Sequence, residues 1–258
     1  IIITASHNEP YWNGFKFLGS NGAVLGENEM NNVINNFRIK SFKNFHKIQE
    51  RKIMEKNTEA ISRYSDFILD IVGRENIQKI KNSKQRIILD PNGGTGLIAK
   101  KIIEKTGVDV TGVNMAYGEF NRKIEPTQDS LFYLKNIIDE NKADFAVGFD
   151  CDADRAEIIL DSGQLLSGNQ ILALIVGEVL SNSKNPKSRF VVVNDATSNA
   201  VREIVQKFGA KIKEVEVGET NVVGQMHKLK AVAGGEGSSG GVIIPPSNCR
   251  DGILALLM

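Results

Sequence analysis

Short apolar runs rich in β-branched residues alternate with stretches of helical period along most of this chain. That alternation limits the fold to layered α/β architectures with largely buried sheets. Strand-like runs fall at 86–89, 108–113, 145–148, 157–160, 189–193, 211–217 and 231–234. Helical period lies between several of them, at 95–105, 129–141, 169–180 and 198–208. An internal echo points to a repeated unit. Arg86-Ile87-Ile88-Leu89-Asp90 leads through a polar turn into a helix ending at Gly107 and then a strand beginning at Val108. Arg189-Phe190-Val191-Val192-Val193-Asn194 does the same, with a helix ending at Gly209 before Ala210-Lys211-Ile212.

At 258 residues the chain holds two ordinary domains or three small ones. Its net charge of +1 gives no reason to expect nucleic acid or a membrane surface as partner. No apolar run is long enough to cross a bilayer. Cys151 and Cys249 lie far apart without metal-ligand spacing, so a reduced, cytoplasmic setting is the default expectation. The polar stretch 28–57, with Phe37, Phe42 and Phe45 interspersed, reads as surface helix and loop, and 58–72 as a connecting helix. The first residues, Ile1-Ile2-Ile3, read as mid-strand, and Leu256-Leu257-Met258 lies inside a helical run with no stop signal. Both ends therefore read as cuts in a longer protein.

The sharpest chemical signal is Asp150-Cys151-Asp152-Ala153-Asp154-Arg155 between two strand-like runs. In an extended segment alternate positions face one side, so three carboxylates would converge and repel unless a cation sits among them. All-oxygen ligands favour Mg²⁺, or Mn²⁺ or Ca²⁺, over Zn²⁺. A helix–loop–helix calcium loop is excluded because Arg155 stands where Gly is needed and strands flank the loop. A solvated acidic loop is the plain alternative.

Ser6 lies in Thr4-Ala5-Ser6-His7-Asn8, followed by the turn Asn13-Gly14-Phe15 and the cation Lys16. Adjacent Ser and His do not form a catalytic dyad, so this run taken alone reads as a turn. Gly234-Gly235-Glu236-Gly237-Ser238-Ser239-Gly240-Gly241 is a pliable loop without the Lys or spacing of a phosphate-binding P-loop. Glu236 and Ser238 could bind sugar hydroxyls; a plain flexible loop is the alternative. Gly93-Gly94-Thr95-Gly96 reads as a structural turn and helix cap.

Taken in order, the Ser6 run with Asn13–Lys16, the Asp150 loop and Gly235-Glu236-Gly237-Ser238 resemble the phosphoserine, metal and sugar loops of the α-D-phosphohexomutase family. Asp90-Pro91-Asn92-Gly93-Gly94-Thr95-Gly96 and Glu125-Pro126-Thr127 add lesser matches. The resemblance implies consecutive similar α/β modules with mixed sheets sandwiched by helices. These would be the end of domain 1 at residues 1–60, domain 2 at 61–164 and a truncated domain 3 at 165–258. It also implies interconversion of hexose 1-phosphate and hexose 6-phosphate through a phosphoserine and a hexose 1,6-bisphosphate, by a monomer or homodimer.

By resemblance Ser6 would carry the phosphate, and Ser6, Asp150, Asp152 and Asp154 would hold Mg²⁺. His7, Lys16 and Arg155 would complete the electrostatic clamp, Glu236 and Ser238 would grip the sugar, and Glu219 would join them in binding the substrate. The chain departs from the family at Glu9, where Pro is usual, and at Glu219, where some members place His after Gly218. A proton-transfer role there would fall to a carboxylate. The continuation Ser239-Gly240-Gly241 resembles archaeal-type members and leans towards glucosamine or mannose phosphates. With the fourth domain missing, the clamp for the distal phosphate would be lost and turnover by this chain alone would be small. Two rivals remain: a Mg²⁺-dependent haloacid-dehalogenase-like phosphohydrolase using Asp150 as nucleophile, and a non-catalytic sugar-phosphate or metal binder.

Overall fold

The computed structural model describes residues 1–40, 54–237 and 241–258. Phe42 and Phe45 of the polar stretch lie outside them. The chain opens with an antiparallel pair of very short strands, β1 (Ile2–Ile3) and β2 (Phe15–Lys16), with Ile2 opposite Lys16. Helix α1 (Glu27–Arg38) buries none of its residues, in keeping with its polar sequence. Helix α2 (Asn57–Ser83) outruns the expected 58–72; Gly73 interrupts its dihedrals at φ 79°. Only a residue without a Cβ takes that angle at little cost, so the helix kinks there.

A five-stranded sheet follows. Strand β3 (Arg86–Asp90) leads through a 3₁₀ turn into α3 (Ala99–Glu104) and strand β4 (Asp109–Gly112). The helix expected at 129–141 divides into α4 (Gln128–Leu131), capped by Thr127, and α5 (Leu134–Asn141). Strands β5 (Phe145–Phe149), β6 (Ala156–Leu160) and β7 (Leu165–Leu166) complete the order β4-β3-β5-β6-β7. β3 runs parallel to β4 and β5, whereas β6 and β7 are antiparallel additions.

Helix α6 (Gly168–Ser181) then crosses to a four-stranded sheet. Its elements are β8 (Phe190–Asn194), α7 (Asn199–Lys207), β9 (Lys211–Val215), α8 (Glu219–Leu229), β10 (Ala233–Gly235), β11 (Val242–Ile243) and α9 (Gly252–Leu257). The order is β11-β10-β8-β9, with β8 parallel to β9 and β10, and β10 antiparallel to β11. The echo in the sequence thus corresponds to two parallel crossovers, β3–α3–β4 and β8–α7–β9. Helix α8 has no counterpart among the expected elements, because Thr220, Asn221 and Gly224 interrupt its apolar stripe of Val222, Val223 and Met226.

One continuous core joins the two sheets. α6 packs on β6 and β7 of the first and β10 of the second, burying Ile171, Leu172, Ile175 and Val176. α9 packs against β6, β11, α2 and α6 through Ile253, Leu254 and Leu257. Asp90, Asp150, Asn194 and Glu236 all lie at or just past the carboxyl ends of parallel strands, where open α/β sheets gather polar groups for ligands.

Candidate active site

The turn after β5 brings three carboxylates together. One ligand oxygen from each of Asp150, Asp152 and Asp154 lies within 4.8 Å of the others. An extended segment was expected to do this; a tight turn does it instead. The Ala153 amide donates to the Asp150 carbonyl at 3.3 Å, and Ala153 takes a left-handed φ of 57°. Convergence therefore comes from chain reversal rather than from strand alternation.

Each carboxylate has one oxygen occupied and one left over. Asp150 Oδ1 accepts from the Arg155 amide at 3.3 Å, Asp152 Oδ2 from Lys16 Nζ at 2.7 Å, and Asp154 Oδ2 from Arg250 Nη2 at 3.0 Å. Asp150 Oδ2, Asp152 Oδ1 and Asp154 Oδ1 are buried with no hydrogen-bond partner. Buried carboxylate oxygens without partners are costly, and three of them on one turn form an all-oxygen donor set for a hard divalent cation. Burial, then the charges of Asp154 and Asp152, push Asp150 well above the ordinary carboxylate range. Burial also works against ionised Asp154, but Arg250 and Lys16 outweigh it and hold that group below its usual value. The residues present fit a divalent cation.

A polar scaffold holds this turn from below. Asp90, fully buried, accepts from Arg122 Nε at 2.5 Å, Tyr133 Oη at 2.6 Å and Asn114 Nδ2 at 3.1 Å. Arg122 reaches on to the Phe149 carbonyl at 2.7 Å, next to Asp150. From the side, Thr95 donates its amide to the Cys151 carbonyl at 2.8 Å, and a Cβ on Gly94 would lie 2.5 Å from that oxygen. On the opposite flank a Cβ on Gly241 would collide with the Asp154 carbonyl. The turn is gripped by backbone that leaves no room for side chains.

The Ser6 loop approaches the acids across the chain. Thr4 Oγ1 donates to Asp152 Oδ2 at 3.5 Å, and Lys16 Nζ lies 2.7 Å from Asp152 and 3.7 Å from Asp154. Burial works against the Lys16 ammonium, yet its bond to Asp152 and the charges of Asp152, Asp154 and Glu219 outweigh it and raise its pKa. Ser6 itself is half-buried at a left-handed φ of 53°, with its amide bonded to Thr4 Oγ1 at 2.9 Å. Left-handed geometry is uncommon for Ser and marks a turn tip that surrounding contacts must hold.

On the side of the second sheet, Glu236 is buried at the end of β10. Its Oε1 accepts from Asn194 Nδ2 at 3.0 Å and from the Gly218 amide at 2.8 Å. Arg250 sits between this group and the acid turn, with Nε on Glu219 Oε2 at 2.9 Å and Nη1 3.3 Å from Glu236 Oε2. Burial raises Glu219 above the ordinary carboxylate range despite that Arg250 bond. Burial likewise raises the Cys151 thiol within the turn, which marks it as no reactive thiolate.

Three family models match in succession along the chain. They are the phosphoglucomutase/phosphomannomutase α/β/α domains I, II and III, at residues 1–44, 62–163 and 167–258. The chain belongs to the phosphoglucomutase/phosphomannomutase family. A phosphoglucomutase/phosphomannomutase of Thermococcus kodakarensis is 32% identical over 247 residues, 95% of this chain and 52% of the relative. A phosphoglucosamine/phosphogalactosamine mutase of Sulfurisphaera tokodaii is 27% identical over all of this chain and 56% of its own length. Among solved structures, a putative phosphomannomutase from Thermus thermophilus shares the fold with TM-score 0.77 at 22% identity, over 99% of this chain and 57% of its own. The chain thus spans about half the length of the curated relatives it matches.

Within the family fold, the structure brings together Lys16, Asp152, Asp154, Glu219 and Glu236, linked by direct ion pairs or through Arg250, with Asp150 beside Asp152 and Asp154. His7 is exposed beside Ser6. Arg155 pairs with Glu125, Nη1 to Oε1 at 2.5 Å, and its Nε is 3.8 Å from Asp150. Ser238 lies outside the described residues. Sequence reading missed Arg250, Thr4 as a tether, Asn194 and the Asp90–Arg122 strut. Their signal is only spatial: an arginine in Cys249-Arg250-Asp251 is unremarkable until three carboxylates from elsewhere surround it. No helix among the described residues is long and apolar enough to cross a membrane.

Proposed function

We propose that this chain carries the phosphoserine, cation and sugar-recognition loops of a phosphohexomutase that interconverts hexose 1-phosphates and hexose 6-phosphates. Its substrates would be glucosamine, mannose or glucose phosphates. The modules would be 1–60, 61–164 and 165–258. The observation that carries this reading is the pair of contacts from Thr4 and Lys16 to Asp152, which set the Ser6 loop against the acid turn.

In this reading the phosphoryl group leaves Ser6 Oγ as a hexose hydroxyl attacks phosphorus in line. The P–Oγ bond breaks, a P–O(sugar) bond forms, and the resulting bisphosphate later returns its other phosphoryl group to Ser6. Asp150, Asp152 and Asp154 would hold Mg²⁺, with an oxygen of the Ser6 phosphate completing the set. Bound there, the ion supplies charge neutralisation on the transferring group. Lys16, kept as an ammonium by its acidic neighbours, adds positive charge on the same side. Arg155, His7 and Lys16 are the remaining clamp residues. Glu219, close enough to influence Lys16 and raised by burial, is our candidate to take the proton of the attacking hydroxyl. Glu236, with Ser238, would orient the sugar.

The test is to incubate the chain with Mg²⁺ and glucose 1,6-bisphosphate and to map covalent phosphate by peptide mass spectrometry. Phosphate on Ser6, absent in Ser6→Ala and reduced at least about tenfold in Asp152→Asn, is expected. Phosphate on Asp150 would overturn the reading in favour of a hydrolase. A blank result from both this chain and a protein spanning the full length of the family would remove the phosphoserine mechanism altogether.

A further inference from the structure

Arg250 is nearly enclosed, its side chain 11% exposed, just ahead of α9. Its guanidinium meets three carboxylates from three separate segments: Asp154 of the acid turn at 3.0 Å, Glu219 at the start of α8 at 2.9 Å, and Glu236 after β10 at 3.3 Å. The consequence for Asp154 is specific. With Oδ2 held by Arg250, the other oxygen, Oδ1, is left buried and without a hydrogen-bond partner, as is one oxygen each of Asp150 and Asp152.

We propose that Arg250 is a positioning residue that couples the acid turn to Glu236, so that the cation affinity of Asp150, Asp152 and Asp154 depends on what Glu236 is doing. The inference rests on reading the acid turn as a cation site. The planar fork fixes the orientation of Asp154 in a way that a point charge on a flexible stem does not. The same fork leans on Glu236, whose contact is the longest of the three and so the first to yield. A sugar hydroxyl that draws Glu236 Oε2 away leaves Arg250 its bonds to Asp154 and Glu219. The position of Asp154 then reports on the sugar loop.

Electrostatics and positioning predict opposite signs, which makes the idea testable with the metal alone. Removing a guanidinium beside three carboxylates should tighten cation binding if only its charge matters. If it orients a ligand, removal should weaken binding, on the order of tenfold as for other groups that hold metal ligands in place. Mn²⁺ affinity would be measured by electron paramagnetic resonance titration for wild type, Arg250→Met, Arg250→Lys, Glu236→Gln and the double variants, with melting temperature as the check on folding.

Weaker binding in Arg250→Met, only partial recovery in Arg250→Lys, and a Glu236→Gln effect that shrinks to its through-space part when Arg250 is replaced are expected. The through-space charge of Glu236 is present in both backgrounds and cancels in that cycle. Unchanged or tighter binding in a folded Arg250→Met, or strict additivity with Glu236→Gln, would overturn the inference while leaving the cation site standing. Wild-type binding no stronger than that of Asp150→Asn would remove the cation site itself, and the coupling with it. If Arg250→Met fails to fold, the Arg250→Lys and Glu236→Gln cycle carries the same decision.

Discussion

The acid turn and the Ser6 loop face one another, yet they are built in opposite ways. The turn after β5 stands on a buried strut, Asp90 with Arg122, and is wedged between Gly94 and Gly241. The Ser6 loop hangs from a pair of two-residue strands whose apolar residues stay exposed: Ile2 is 45% exposed, Ile3 66% and Phe15 66%. Its described links to the acid turn are polar, through Thr4 and Lys16. One half of the site is therefore preorganised by the core, while the other takes its position from the first. Under the proposed function, the rigid half would hold the cation and the more loosely held loop would carry the phosphoryl group.

The comparison can be broken from its strong side first. Arg122→Met leaves Asp90 buried without its cation and should cost about 3–5 kcal/mol, read as a lower urea midpoint and the loss of Mn²⁺ binding. A midpoint within experimental error of wild type would show that the strut is not what holds the turn. Next, Gly94→Val forces a side chain against the Cys151 carbonyl and should destabilise by about 1–3 kcal/mol while weakening Mn²⁺ binding. Normal affinity in that variant would mean that the turn can move without losing its ligands.

A third effect depends on pH. Glu157 lies under the turn, its Oε1 accepting from the Gly168 amide and its Oε2 without a partner, and burial pushes it up to about 8. The unfolded carboxyl ionises near its ordinary 4.5, while the folded one keeps its proton to about 8. The native state therefore binds more protons between those values, and stability is lost as pH rises from about 4.5 to 8. Glu157→Gln should flatten that slope and be more stable than wild type at pH 9 by on the order of 3 kcal/mol. A slope equal to that of wild type would refute this assignment. The smallest effect is expected on the loosely held side. Lys16→Met should change global stability by less than about 1 kcal/mol. It should nevertheless speed proteolysis near Ser6 and increase hydrogen exchange there; unchanged exchange would mean that the loop stands without the acid turn.

Particular elements show how far the sequence could be read. The strands at 86–89 and 145–148 and the helix at 169–180 were legible because apolar residues recur at the right period over several turns or pleats. Helix α8 was not, because polar residues break its stripe, and α2 ran past its expected end because Gly73 kinks a helix without terminating it. In the candidate site, Asp150, Asp152 and Asp154 announced themselves by spacing, although the turn that joins them replaced the extended segment expected. Arg250 carried no such mark. Its meaning depends on Asp154, Glu219 and Glu236, which are distant in sequence.

By itself the sequence determined the alternation of sheets and helices, the repeated crossover unit and the residue types able to carry phosphate, cation and sugar, because periodicity and local spacing are properties of neighbours along the chain. Which carboxylate oxygens are tied and which are left over, that Lys16 turns to Asp152, and that one arginine spans two loops were decided only by tertiary structure. Those outcomes depend on burial and on contacts between segments, and a buried polar group acquires its charge state and direction from whatever the fold packs around it.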